Sequence, residues 1–107
     1  MEKRIRDELN TLKDIIIKTI PVGRIFLFGS YADGKPNIDS DLDIYVVMSD
    51  NAKIKEIDAM KLIRKAIRDK KTMPVDIVVI KENKFNKRKS SITIERQIEQ
   101  DGILLYG

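Results

Sequence analysis

Residues 24–48 read RIFLFGSYADGKPNIDSDLDIYVVM, and their reading decides the fold. Arg24 to Phe28 is a short apolar run, the pattern of a buried strand. Gly29 to Ser40 is dense in Gly, Pro, Asn, Asp and Ser, so it reads as loop, with room for one helical turn opening at Ser30. Asp41 to Met48 is acidic at its start and apolar afterwards, a second strand. Asp41 and Asp43 are two residues apart on that strand, so their side chains project to one face.

Working outward, Ile5, Leu9, Leu12, Ile16 and Ile20 recur every three or four residues, an amphipathic helix that Pro21 and Gly23 end. After the second strand, Ser49, Asp50 and Asn51 offer N-caps for a helix whose buried stripe is Ile54, Ile57, Met60 or Leu62, Ile63 and Ile67. Pro74 to Ile80 is a third strand. Lys81 to Lys89 reads as a basic connector, with Lys84, Lys87, Arg88 and Lys89 on a solvated surface. A short helix follows from about Ser91, with Ile94 and Ile98 inward and Gly102 as its stop. Ile103 to Tyr106 is apolar and packs down as an edge strand.

This order implies an α/β domain. The second and third strands flank a helix and are expected to be parallel, while the first and second can be antiparallel, giving a mixed sheet with helices packed on it. Such an arrangement brings the end of the first strand (Gly29-Ser30), the start of the second (Asp41, Asp43) and the start of the third (Asp76) to one end of the sheet.

Composition narrows the chemistry. The chain has 107 residues with 42% hydrophobic and 36% charged, enough for one core. It contains no Cys and no His, which excludes thiolate nucleophiles, zinc-thiolate centres and a histidine base. Oxygen ligands from Asp favour magnesium, manganese or calcium. A net charge of +4 suits an anionic partner such as a nucleotide, though it is too mild to argue for nucleic acid. No apolar run reaches the roughly 20 residues of a membrane span, and the charged amino terminus does not resemble a secretory signal. A cytoplasmic protein is the expectation.

Three carboxylates gathered at one place repel each other unless cations join them. A pair of divalent ions answers that repulsion and can hold a triphosphate. A glycine followed by a serine lets backbone amides approach phosphate oxygens and adds a hydroxyl donor. Two other motifs fail on inspection. Asp39, Asp41 and Asp43 imitate a calcium loop, but Ile44 stands where its glycine belongs and Asp50 where its bidentate Glu belongs. Gly29 to Lys35 imitates a phosphate loop of the ATPase type, but Pro36 replaces its hydroxyl residue and Asp33 opposes phosphate.

Gly29-Ser30, ten intervening residues and Asp41-Leu42-Asp43 resemble the signature of the polymerase-beta-type nucleotidyltransferase superfamily. Val75-Asp76-Ile77-Val78 resembles the context of its third acidic residue. Gly34 and Ser40-Asp41 fit its minimal, MNT-type members, which pair with helical HEPN proteins as antitoxin and toxin. The resemblance runs nearly the whole chain, to Asp101-Gly102-Ile103-Leu104-Leu105-Tyr106, and implies one nucleotidyltransferase domain over residues 1–107. It further implies that Asp41 and Asp43 bind two Mg2+ ions (or Mn2+), that Asp76 binds the catalytic ion and helps activate the acceptor hydroxyl, and that Gly29 and Ser30 hold the phosphates of a nucleoside triphosphate, ATP by resemblance. AMP would pass to a hydroxyl of a HEPN-type partner; a homo-oligomer with a completed cleft is the other way to supply the acceptor site. Asp33 departs from the family, whose minimal members often carry a basic residue there. The rival function is a binding module that silences a partner by contact alone.

Overall fold

The computed structural model describes residues 1–107. Helix α1 (Lys3–Thr19) buries Ile5, Leu9, Leu12 and Ile16 along one stripe and stops where Ile20 turns extended before Pro21. Strand β1 (Val22–Phe28) starts two residues earlier than the apolar run suggests. Gly23 therefore does not end the helix; it lies in the strand, where the pairing with the second strand slips by one residue between Val22 and Arg24.

Strand β2 (Leu42–Met48) is antiparallel to β1, and β3 (Val75–Lys81) is parallel to β2. Strand β4 (Ile103–Tyr106) lies antiparallel on the free edge of β1, giving the order β3-β2-β1-β4. The mixed sheet, the parallel pair and the closing edge strand all match the sequence expectation.

Helix α2 (Glu56–Ile67) differs from its reading in two ways. It starts after Asn51, behind an extended Lys55 with no side-chain cap. The cap-type residue Asp50 accepts instead from the Asn83 N–H at 3.0 Å, the second amide of the next helix. Its buried stripe is Ala59, Ile63 and Ile67 at four-residue spacing, while Ile57 and Leu62 stand exposed. Ala59 has too little side chain to announce a core position in sequence, yet a small residue is what close packing needs there.

The basic connector is a helix, α3 (Glu82–Arg88). One aromatic explains it: Phe85 is fully buried, 5.9 Å from Phe26 and 5.7 Å from Tyr45 by ring centroids. Helix α4 (Ile94–Asp101) is capped by Thr93, whose hydroxyl accepts from the Arg96 N–H at 3.3 Å. Ile98 points inward as read, but Ile94 is half exposed and the buried neighbour is Glu95. Gly102 ends the helix with extended backbone; a Cβ there would lie 2.5 Å from the Ile98 carbonyl oxygen and 3.2 Å from that of Leu27. The Ile98 carbonyl of the helix itself leaves no room for a Cβ here, and the Leu27 carbonyl of β1 is a tight second contact.

The sheet separates two cores. Helices α1 and α2 cover one face, over Ile25, Leu27, Leu42, Ile44, Val46 and Ile77. On the other face, α3 and α4 enclose Phe26, Tyr45, Val47, Ile80, Phe85 and Ile98. No helix is long and apolar enough to cross a membrane.

Candidate active site

Strand register brings the carboxylates together. Asp43 stands opposite Asp76 in the parallel β2–β3 ladder and opposite Phe28 in the antiparallel β1–β2 ladder. Asp41 lies just before β2, and the fully buried Leu42 between them sends its side chain to the α1–α2 face. The two aspartates therefore share the opposite face, that of Tyr45 and Val47. The Leu42 N–H donates to the Pro74 carbonyl at 3.0 Å, which ties the start of β2 to the segment entering Asp76.

Gly29 follows directly on β1 with φ +77°, a left-handed conformation natural to glycine. It presses against the Asp43 carboxylate so closely that any Cβ there would overlap it. Ser30 to Gly34 form one helical turn, with the Asp33 N–H donating to the Gly29 carbonyl at 3.0 Å and Lys35 N–H to that of Ser30 at 2.9 Å. Gly34, with φ +72°, then turns the chain away.

Electrostatics mark the same place. Burial first, then the charges of Asp76 and Asp41, push the Asp43 carboxyl above its ordinary value. No three acidic side chains stand in a ready-made metal cage. The donor set, three carboxylates of like charge at one end of the sheet with Asp43 against a bare glycine, nevertheless has the chemistry that a hard divalent cation takes. The sequence-predicted residues Gly29, Ser30, Asp41, Asp43 and Asp76 lie at one end of the sheet.

A model of the nucleotidyltransferase domain matches residues 3–98. This chain belongs to the nucleotidyltransferase domain family. Its fold is that of polymerase-beta-like nucleotidyltransferases. A candidate nucleotidyltransferase of Sulfolobus solfataricus superposes with a TM-score of 0.65 at 22% identity, over 94% of this chain and 78% of that one. A mutant of the toxin–antitoxin MntA-HpeT gives 0.66 at 24%, over 92% and 73%. A toxin–antitoxin crystallised with AMP-PNP gives 0.58 at 25%, over the same shares of 92% and 73%. No curated protein matches the chain.

Two features of this nucleotidyltransferase domain differ from their sequence reading. The basic cluster is largely engaged within the chain: Lys84 pairs with Glu56 at 3.6 Å, Arg88 with Glu95 at 2.7 Å and Lys89 with Glu99 at 2.9 Å. Helix α4 also reaches the end of the sheet where these aspartates lie, and Phe28, Gly29, Asp33, Ile94, Gln97 and Asp101 line a cavity of about 120 Å³ there. Sequence spacing gave no sign of that, since it reports only which residues of a helix face inward.

Proposed function

We propose that this nucleotidyltransferase moves a nucleoside monophosphate, AMP from ATP, to a hydroxyl of a partner protein, and that the partner is a HEPN-type toxin. The observation that carries the reading is the pairing of Asp43 with Asp76 directly beside Gly29. Carboxylates for cations and a glycine turn for phosphates meet there. The likeness to toxin–antitoxin structures, one of them holding AMP-PNP, supports the choice of partner and nucleotide.

Each residue then has a task. The turn at Gly29 offers backbone amides, and Ser30 its hydroxyl, to the triphosphate. Asp41, Asp43 and Asp76 would hold two Mg2+ ions. When bound, such ions neutralise the triphosphate and lower the pKa of the acceptor hydroxyl. Asp76, exposed at the start of an edge strand, faces the incoming acceptor and receives its proton. The acceptor oxygen forms a bond to the α-phosphorus in line with the departing pyrophosphate, whose bridging bond breaks. Positioning supplies much of the rate, and the sheet end offers little surface to orient an acceptor, so the partner must bring its own hydroxyl.

Mass spectrometry of the co-encoded partner after co-expression tests this. Wild type should add one or more AMP units, and Asp41→Asn with Asp43→Asn none. A partner silenced yet unmodified would establish the contact-only module instead. Elongated tRNA or free nucleotides, with the partner untouched, would refute a protein acceptor.

A further inference from the structure

Charge is unevenly spread along this chain. Residues 58–71 hold six cations, Lys61, Arg64, Lys65, Arg68, Lys70 and Lys71, against the two acids Asp58 and Asp69. Of the chain's 21 cations and 17 acids, that leaves 15 against 15 elsewhere, so the whole net charge of +4 resides in this one stretch. All six cations are exposed, and none joins an ion pair.

The helix itself does not call for them. Lys61 with Lys65 and Arg64 with Arg68 are like charges four residues apart, which weakens a helix. Arg64 and Lys65, in the last turn of α2, complement its dipole. That effect fades within a turn and does not account for Lys61, Lys70 or Lys71. A surface that gathers one sign of charge without counter-charges is complementary to an anionic partner.

Packing fixes where this surface faces. Ala59, Ile63 and Ile67 seat α2 in one core with Ile77 of β3. Lys61, Arg64, Lys65 and Arg68 recur at three and four residues on the opposite side of the helix. The turn that carries Lys70 and Lys71 leads into β3, and buried Glu8 holds it, accepting from the Thr72 N–H at 3.2 Å and from the Thr72 hydroxyl. Lys71 stands five residues before Asp76, so their Cα atoms lie within about 18 Å even at full extension. The patch therefore flanks the aspartate end of the sheet, beside its edge strand.

The residues among the cations select the class of partner. Ile57 lies in the same row and Leu62 borders it, 50% and 45% exposed. They offer contacts to apolar side chains, which a phosphodiester backbone lacks. No aromatic residue stands between Tyr45 and Phe85, so the patch has no ring on which a base could stack.

We propose that the outer face of α2, with the turn after it, docks an acidic, partly apolar face of the partner protein and so brings its hydroxyl to Asp76. The proposal rests on the protein-acceptor reading above. The division of charge gives it direction: the three aspartates repel an acidic surface and the cations of α2 hold it, so the neutral hydroxyl is the part that approaches Asp76.

Association kinetics with the co-encoded partner test the dock at about 50 and about 500 mM salt. Wild type should associate about tenfold more slowly at the higher salt, because a charge-steered encounter is screened. Lys61→Gln, Lys65→Gln and Arg68→Gln together should slow association about tenfold at the lower salt and remove most of the salt dependence. Lys3→Gln, Arg4→Gln and Arg6→Gln take the same charge from α1 and should change the rate less than about threefold. Glutamine keeps helix propensity, and a urea midpoint checks folding. A salt-independent rate in wild type would overturn the dock whatever the variants do, as would equal effects of the two triple substitutions. Binding of mixed tRNA to the patch, with the partner's association indifferent to the α2 substitutions, would assign the surface to nucleic acid and refute the proposal. Wild type that binds no partner at all would overturn the protein-acceptor reading, and the dock with it.

Discussion

Asp43 and Glu95 are two carboxylates over the same face of the sheet, on either side of Tyr45, in opposite circumstances. Glu95 is 4% exposed and fully provided for: the Tyr45 hydroxyl donates to it at 2.7 Å and the Arg88 Nε at 2.7 Å. Burial alone would raise its pKa, but those two hydrogen bonds, a backbone hydrogen bond and the Arg88 charge together more than offset it, and the carboxyl sits below its ordinary value. Asp43 has like-charged Asp76 and Asp41 for company, and its pKa is raised by burial and then by them. One cluster is built for the fold, with α3 and α4 tied to β2 through Glu95. The other is left in conflict, as expected where function overrides local stability. The Tyr45 phenol belongs to the first kind: burial, then its bond to Glu95, drives its pKa far up, so it stays a neutral donor.

The largest expected effect breaks the second cluster. Asp41→Asn with Asp43→Asn should lower transfer by about a thousandfold or more and abolish Mn2+ binding. In EDTA the same variant should be slightly more stable than wild type, by about 0.5 kcal/mol once solvent screening is allowed for, or roughly 2–4 °C. Activity, calorimetry and thermal melts read these together. Lower stability in EDTA would mean that the carboxylates serve the fold.

The next effect breaks the first cluster. Glu95→Ala leaves the Tyr45 hydroxyl, on a residue only 1% exposed, with no acceptor, and should cost about 2–3 kcal/mol in urea unfolding. Glu95→Gln keeps an acceptor and should cost clearly less. Mn2+ affinity measured well below the melting temperature should not change in either.

Acid unfolding sharpens the contrast because the two shifts have opposite sign. Glu95 is lowered from 4.5, so its stabilisation is complete above that pH and is lost as pH falls through the folded value. Asp43 is raised from 3.8, so its contribution is complete below that pH and is lost as pH rises through the folded value. Removing Asp43 should therefore steepen the net loss of stability below about pH 4.5, and Glu95→Gln should flatten it. Denaturant midpoints between pH 3 and 7 with no divalent cation present would show both, and slopes changing in the reverse sense would refute the assignment.

Residues 24–48 were legible because their signals are local: strand periodicity, a glycine-rich turn and an alternating Asp pair need no knowledge of the rest of the fold. Asp76 was legible because a parallel crossover leaves few choices of register. Glu95 was not. An acid on a polar-looking helix reads as solvated until the buried Tyr45 and the ion-paired Arg88 meet it, residues 50 and 7 positions away. The same limit hid α3, whose anchoring Phe85 stands alone among charges, and exchanged Ile57 for Ala59 in α2, where close packing outranked side-chain hydrophobicity. It also hid the contact of Glu8 with Thr72, which joins α1 to the turn before β3.

The smallest expected effect asks whether the two clusters are independent. Tyr45 is two residues from Asp43 on one strand face, and its ring lies in edge contact with Phe28, 6.2 Å between centroids, next to Gly29. Tyr45→Phe keeps the ring and deletes only the hydroxyl. Glu95 retains Arg88, so the loss should be about 1 kcal/mol, one hydrogen bond without an orphaned partner. Because that hydroxyl is engaged by Glu95, kcat, KM and Mn2+ affinity should stay within about twofold of wild type. A tenfold fall in kcat with an unchanged ring would mean that the Glu95 cluster sets the position of Asp43 through β2, and the two regions would then be one device.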